Sequence, residues 1–230
     1  MWDSFGSNVL GLYDTTTQTQ STVESFGNGP ADMALEPSGN TLLVANAGSD
    51  YISRVNATTL ADQQDLTIGA RPDGLAYDDN GDLFAVLGVS EVAQIDPTTG
   101  AILNFIGNLS EADGLTFDSS TGMLYVGSDA GGFYTVDTGL TSAVFTDLGI
   151  TTDGIASSGN LLYLINRGVG GVQYNLSDQS TLVSPGITGA DDIAPVAGLG
   201  SQQTTPEPGS MMLLATGLLA LKRVIRRKSA

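Results

Sequence analysis

Five aspartates recur along the chain at nearly constant intervals, and they are the residues best placed to do chemistry. Their spacings are 41, 40, 40 and 39 residues, and the residues are Asp32, Asp73, Asp113, Asp153 and Asp192. Carboxylates that repeated units gather around one axis must bind a cation, take up protons or turn outward. Because Ca²⁺ prefers hard oxygen ligands, the pattern predicts a calcium-binding ring. In the alternative, each aspartate accepts hydrogen bonds from backbone N–H groups of its own turn.

The segments that carry these aspartates belong to a repeat of about forty residues. In the first four units the aspartate begins an apolar strand, and a tight turn such as Asn80-Gly81-Asp82 leads to a second one. A third strand ends in a pair such as Ile95-Asp96, and a fourth follows a Thr/Ser-rich turn. Four short strands per unit are typical of a β-propeller blade. We therefore predict an all-β fold; a β-sandwich with accidental periodicity is the alternative.

The phase of the repeat indicates how such a propeller closes. The chain begins partway through a unit, and its last unit contains only the first strand, near Val196. Together the two partial units make one blade, which predicts five blades closed by the N- and C-terminal strands. The alternative is a piece of a six- or seven-bladed protein. We predict the propeller at residues 1–198 and a linker at 199–205.

Composition and charge exclude several classes of site. The chain has no His and no Cys, so imidazole bases, thiol nucleophiles and Cys-based zinc sites are excluded. The formal net charge is −17 for the whole chain, with −21 on residues 1–205 and +4 on the rest. An acidic body repels nucleic acid, so no nucleic-acid partner is expected.

The body resembles the NHL-repeat, YVTN-repeat and gluconolactonase-like β-propellers. The resemblance rests on units such as Arg71-Pro72-Asp73-Gly74-Leu75-Ala76 followed by Asp79–Val86. It implies the fold but little about function, because this architecture carries many activities. In the gluconolactonase-like family a residue of a Pro-Asp-Gly motif helps to hold a metal. Of the five aspartates, Asp73 alone matches that motif in full.

The C-terminal residues 206–230 have three parts in a fixed order. Pro206, Glu207 and Pro208 precede the apolar run 209–221, and the basic cluster 222–228 follows. This order resembles the PEP-CTERM sorting signal of Gram-negative bacteria. The resemblance implies recognition of the Pro-Glu-Pro motif by an exosortase-type enzyme and a short apolar helix in the inner membrane.

The length of the apolar run favours a temporary anchor. Thirteen helical residues span about 20 Å, whereas a bilayer core needs about 30 Å. Snorkelling of the first basic residues would extend the membrane segment to 209–225. An amphipathic surface tail and a resident single-pass protein are the alternatives. The chain starts without a charged and apolar leader, so we expect a signal peptide upstream.

These features lead to three readings of function. The first is an exported binding or structural module of the envelope or extracellular matrix, with exopolysaccharide, envelope proteins or Ca²⁺ as partners. The second is a metal-dependent enzyme similar to lactonases or lyases of propeller fold. The third is a spacer without a ligand. We favour the first reading, because no nucleophile–base pair is readable in the sequence.

Overall fold

The described part of the chain is built from antiparallel β-sheet. The computed structural model describes residues 2–4, 8–14, 17–25, 27–166 and 170–184. Within these ranges there are nineteen strands in five antiparallel sheets, and consecutive strands pair as neighbours in each sheet. Each sheet is one blade, so the all-β propeller with five blades predicted from the repeat is confirmed.

Four blades contain four described strands each. Blade 1 consists of β4 (Pro30–Leu35), β5 (Thr41–Asn46), β6 (Tyr51–Asn56) and β7 (Asp62–Thr67). Blade 2 consists of β8 (Pro72–Tyr77), β9 (Leu83–Leu87), β10 (Glu91–Ile95) and β11 (Ile102–Ile106). Blade 3 consists of β12 (Ala112–Asp118), β13 (Met123–Ser128), β14 (Gly132–Asp137) and β15 (Ala143–Asp147). Blade 4 consists of β16 (Ile155–Ser158), β17 (Leu161–Asn166), β18 (Gly170–Asn175) and β19 (Thr181–Ser184).

The fifth blade has three described strands, β1 (Trp2–Ser4), β2 (Val9–Asp14) and β3 (Thr19–Ser25). The strand near Asp192 that we expect to complete it lies outside the described residues, as does the predicted C-terminal helix. The chain divides into two compact units, residues 1–200 and 201–230. The predicted domain limits at 198 and 205 stay predictions. Among the described residues, none forms a helix with the length and apolarity needed to cross a membrane.

The core lies between the blades, which pack sheet face against sheet face. Every residue of β5 and β9 is buried, whereas four of the five residues of β11 are exposed. The second strand of these blades is therefore buried on both faces, and β11 is an outer strand. Between blades 3 and 4, Phe133 packs edge-on against Tyr174, with their ring centroids 5.1 Å apart.

The turns between first and second strands have the conformation that their sequence predicts. Gly39, Gly81, Gly122 and Gly159 have φ values of 75°, 85°, 68° and 59°. Glycine adopts this left-handed region without the steric cost that a side chain brings. The same turn in four units sets the strand register, so each blade presents its first strand to the first strand of the next. β8 accordingly contacts both β4 and β12.

Candidate functional site

The inner strands bring the repeated aspartates to corresponding places in successive blades. Asp32 lies in β4, Asp73 in β8 and Asp113 in β12, and Asp153 lies two residues before β16. Asp192 lies outside the described residues, so its predicted role stays untested. The four described aspartates have three different environments, although their places in the repeat match.

The glycine that follows an aspartate lets neighbouring inner strands approach closely. A Cβ added to Gly74 would lie 2.5 Å from the backbone N of Leu115. A Cβ added to Gly114 would lie 2.7 Å from the backbone O of Asp153. Real side chains do not tolerate such distances. The glycine of the repeated Asp-Gly pair is therefore required in part for the packing of neighbouring inner strands.

Asp32 connects two blades through the backbone. One carboxylate oxygen, Oδ1, accepts a hydrogen bond from the N–H of Met33 at 2.7 Å. The other, Oδ2, accepts one from the N–H of Leu75 in blade 2 at 2.6 Å. Backbone donors thus satisfy this carboxylate, one from the adjacent residue and one from the neighbouring blade, rather than both from its own turn.

Asp73 is compensated by an arginine of its own blade. Its side chain is 2% exposed, and Oδ1 accepts hydrogen bonds from Nε and Nη2 of Arg71 at 3.1 and 2.7 Å. Oδ2 is buried and has no hydrogen-bond partner among the described residues. Burial raises the pKa of Asp73, and the Arg71 guanidinium partly offsets that effect.

Asp113 and Asp153 meet a third carboxylate, that of Asp129. One carboxylate oxygen from each residue lies within 4.8 Å of the other two. Asp153 is 4% exposed, Asp113 is half-buried and Asp129 is exposed. The group therefore extends from the interior to the surface, where an ion can enter.

Backbone hydrogen bonds hold the segments that carry the three carboxylates. The N–H of Asp129 donates to the carbonyl of Glu111 at 3.0 Å, next to β12. The N–H of Gly114 donates to the carbonyl of Asp153 at 2.9 Å, which ties blade 3 to blade 4. The N–H of Asp153 donates to the carbonyl of Ile165 at 3.0 Å. The carboxylates are therefore positioned by a rigid sheet framework.

This arrangement fits a hard divalent cation. Ligand oxygens lie about 2.4 Å from Ca²⁺, so oxygens on opposite sides of the ion are about 4.8 Å apart. The three carboxylates fall within that limit. Bound Ca²⁺ would offset the mutual repulsion of the three carboxylates.

Asp129 is not one of the aspartates that recur with the forty-residue repeat. The residue follows β13, where blade 1 has Ala47 and blade 2 has Gly88. No periodic signal marks it, because one described blade alone carries a carboxylate there. The one feature of the sequence that could have indicated its role is its position directly after the predicted second strand of its unit.

A model of the PEP-CTERM protein-sorting motif matches residues 204–228. The predicted C-terminal signal is a PEP-CTERM motif. It contains Pro206, Glu207 and Pro208, and all of it lies outside the described residues. No curated protein matches the chain.

Two solved structures support the propeller fold. The chain is 18% identical to a chain of Kuenenia stuttgartiensis hydrazine synthase, with a TM-score of 0.57, over 68% of this chain and 49% of the other. It thus spans about half of that hydrazine synthase chain. It is 14% identical to a chain of a nidogen/laminin complex, with a TM-score of 0.63, over 78% and 76%. At such identities the likeness shows the β-propeller fold alone.

Proposed function

We propose that the chain is an exported propeller of the cell envelope or extracellular matrix that acts as a binding and structural module. The PEP-CTERM motif implies export, processing by an exosortase-type enzyme and transient anchoring in the membrane. In the proposed route, residues 209–225 hold the chain in the inner membrane. Recognition of Pro206, Glu207 and Pro208 then leads to release toward the surface, where exopolysaccharide and envelope proteins are available partners.

A processing assay tests this route. The Glu207→Ala variant should accumulate with its C-terminal segment attached in a bacterium that carries an exosortase system. Gln203→Ala, outside the predicted motif core, should mature normally. Mass spectrometry of the membrane and released fractions measures the cleavage. Normal cleavage of Glu207→Ala would contradict the proposed recognition.

The ligand that the geometry favours is Ca²⁺ bound by Asp113, Asp129 and Asp153. The single observation that carries this proposal is the convergence of the three carboxylate oxygens within 4.8 Å. We propose a binding role rather than catalysis, since the chain has no His or Cys to act as base or nucleophile. A cation held between blades 3 and 4 would stabilise the propeller.

Thermal unfolding of the full chain in Ca²⁺ and in chelator tests the site. Ca²⁺ at about one hundred times its Kd adds about 2.7 kcal/mol, which raises the Tm of a domain this size by about 5–10 °C. Asp129→Asn should lose the shift without unfolding the protein, because Asp129 is exposed. Asp79→Asn is the matched control, because Asp79 is an exposed aspartate in a turn of blade 2, outside the candidate site. This variant should keep the Ca²⁺-dependent rise in Tm.

Calorimetric titration with CaCl₂ completes the test. Wild type and Asp79→Asn should bind Ca²⁺ with the same stoichiometry, and Asp129→Asn should bind it much more weakly. A Tm that does not respond to Ca²⁺ in wild type would sink the cation proposal and leave the three aspartates with an architectural role.

A further inference from the structure

The outer strand of blade 2 exposes three large apolar side chains, and the outer strands of blades 3 and 4 expose two each: Val144, Phe145, Leu182 and Val183. In β11, Ile102 is 44% exposed, Leu103 59% and Phe105 57%. The corresponding strand of blade 1, β7, has the sequence Asp-Gln-Gln-Asp-Leu-Thr and buries Leu66. An exposed apolar edge strand is a ready site for pairing with another strand. No described strand pairs with the outer edge of β11.

Charge separates β11 from its counterparts. Residues 97–110 include a Thr-containing turn, the whole of β11 and the segment that follows it, without one charged side chain. By contrast, β7 carries Asp62 and Asp65, β3 carries Glu24 and β15 carries Asp147. Carboxylates on an edge strand oppose pairing with a copy of the same strand, because like charges would face each other. β19 is also uncharged, but it has four residues.

The apolar and polar residues of β11 are arranged symmetrically about its centre, although Leu103 and Phe105 differ in type. Asn104 is the centre, with Leu103 and Phe105 beside it and Ile102 and Ile106 at the ends. In an antiparallel pair with a second copy, Asn104 would face Asn104, Leu103 would face Phe105, and Ile102 would face Ile106. A two-fold interface requires this kind of self-complementary surface.

We propose that β11 pairs antiparallel with β11 of a second copy of this chain, about a two-fold axis at Asn104. Residues 1–205 carry −21, so two copies repel each other over most of their surface. An uncharged contact avoids the closest of these repulsions. A hydrogen bond from Asn104 Nδ2 to the carbonyl of Gly139 at 3.0 Å already fixes the centre of the strand. The proposal does not depend on the cation site.

One feature of β11 limits its pairing. The register with β10 shifts between Gln94 and Ile95, which leaves Leu103 as a bulged residue. A bulge is one of the devices that blunt an edge strand. β7 has the same shift at Gln63 and adds two carboxylates, so β11 is the less protected strand.

Disulfide trapping of the full chain tests the pairing, since the natural sequence has no Cys. Cross-strand neighbours have Cβ atoms close enough for a disulfide after small adjustments. Asn104→Cys should form a covalent dimer on mild oxidation in nonionic detergent, which masks the apolar run 209–221. Gln64→Cys is the matched control. Gln64 occupies the same place in β7, and its Nε2 donates to the carbonyl of Thr98 at 3.1 Å.

Crosslinking of Asn104→Cys should be several-fold faster than that of Gln64→Cys, and adding Phe105→Lys should remove the difference. If Asn104→Cys does not fold, an equimolar mixture of Leu103→Cys and Phe105→Cys chains tests the same pairing, because both of these side chains are exposed. That mixture should form the mixed disulfide. Equal crosslinking at residues 104 and 64, or no effect of Phe105→Lys, would overturn the proposal, and pairing with a different protein would then be the remaining use of the edge.

Discussion

The inner ends of blades 2 and 3 share a backbone framework but differ in charge. In blade 2 the carbonyl of Arg71 accepts a hydrogen bond from the N–H of Gly88 at 2.9 Å. In blade 3 the carbonyl of Glu111 accepts one from the N–H of Asp129 at 3.0 Å. An arginine and a glycine in one blade are thus replaced by two carboxylates in the next.

This comparison shows that the repeat determines where the aspartate side chain lies but does not determine which group offsets its charge. Asp73 has an internal cation, the guanidinium of Arg71, at 2.7 Å. The carboxylates of Asp129 and Asp153 lie close to that of Asp113. A buried carboxylate needs a partner of opposite charge or hydrogen-bond donors. In our proposal the carboxylates of Asp113, Asp129 and Asp153 bind a cation from solution, whereas the carboxylate of Asp73 pairs with the guanidinium of Arg71.

The largest expected effect comes from making blade 3 resemble blade 2. In the double variant Glu111→Arg, Asp129→Gly, the gain from Ca²⁺ should disappear, a loss of about 2.7 kcal/mol at one hundred times the Kd. Thermal unfolding with and without Ca²⁺ measures it. Glu111→Gln, which keeps all three site carboxylates, is the control. A double variant that still responded fully to Ca²⁺ would break the proposed correspondence between the two blades.

A smaller effect should follow from removing the internal cation of blade 2. Arg71→Ala leaves the carboxylate of Asp73 buried without its partner, and we expect a loss of about 2 kcal/mol near neutral pH. The expected loss is below that of a fully buried pair, because the Arg71 side chain is 48% exposed. Chemical denaturation at several pH values measures this loss of stability. The control is Asp79→Asn, which replaces an exposed aspartate that makes no ion pair with the described residues.

The pH dependence of this variant has a definite sign. Burial already raises the pKa of Asp73, and loss of the guanidinium raises it further. A raised pKa of an acid in the folded state favours folding below the unfolded pKa, and that advantage is lost as pH rises through the folded pKa. The penalty of Arg71→Ala should therefore vanish in acid, where Asp73 is protonated, and grow as pH rises. A penalty independent of pH would show that Arg71 acts by packing alone.

The fold was predictable because the same local signals occur in four of the units. The glycines at 39, 81, 122 and 159 mark hairpin turns, and all four have positive φ in the structure. Four blades repeat this turn, so a weak signal in one unit is supported by the others. The five sheets follow from that agreement between units.

The candidate site was only half predictable for the same reason. Asp113 and Asp153 belong to the repeat and were found by their spacing. Asp129 and Arg71 are each specific to one described blade, so no second unit supports them. The roles of Asp32 and Asp73 depend on the N–H of Leu75 and on the Arg71 side chain, which are visible in the packed structure alone.

The aspartates in the outer turns affect how the protein behaves when its surroundings become acidic. Backbone N–H groups of Thr98 and Thr99 lower the pKa of Asp96, and hydrogen bonds from Ser180 lower that of Asp178. At Asp137, hydrogen bonds from Thr141 and Ser142 outweigh the opposing effect of slight burial and lower the pKa as well. These carboxylates keep their charge after ordinary ones have been protonated. These turns thus retain negative charge in acid, and that charge opposes the close approach of separate molecules through this part of the surface.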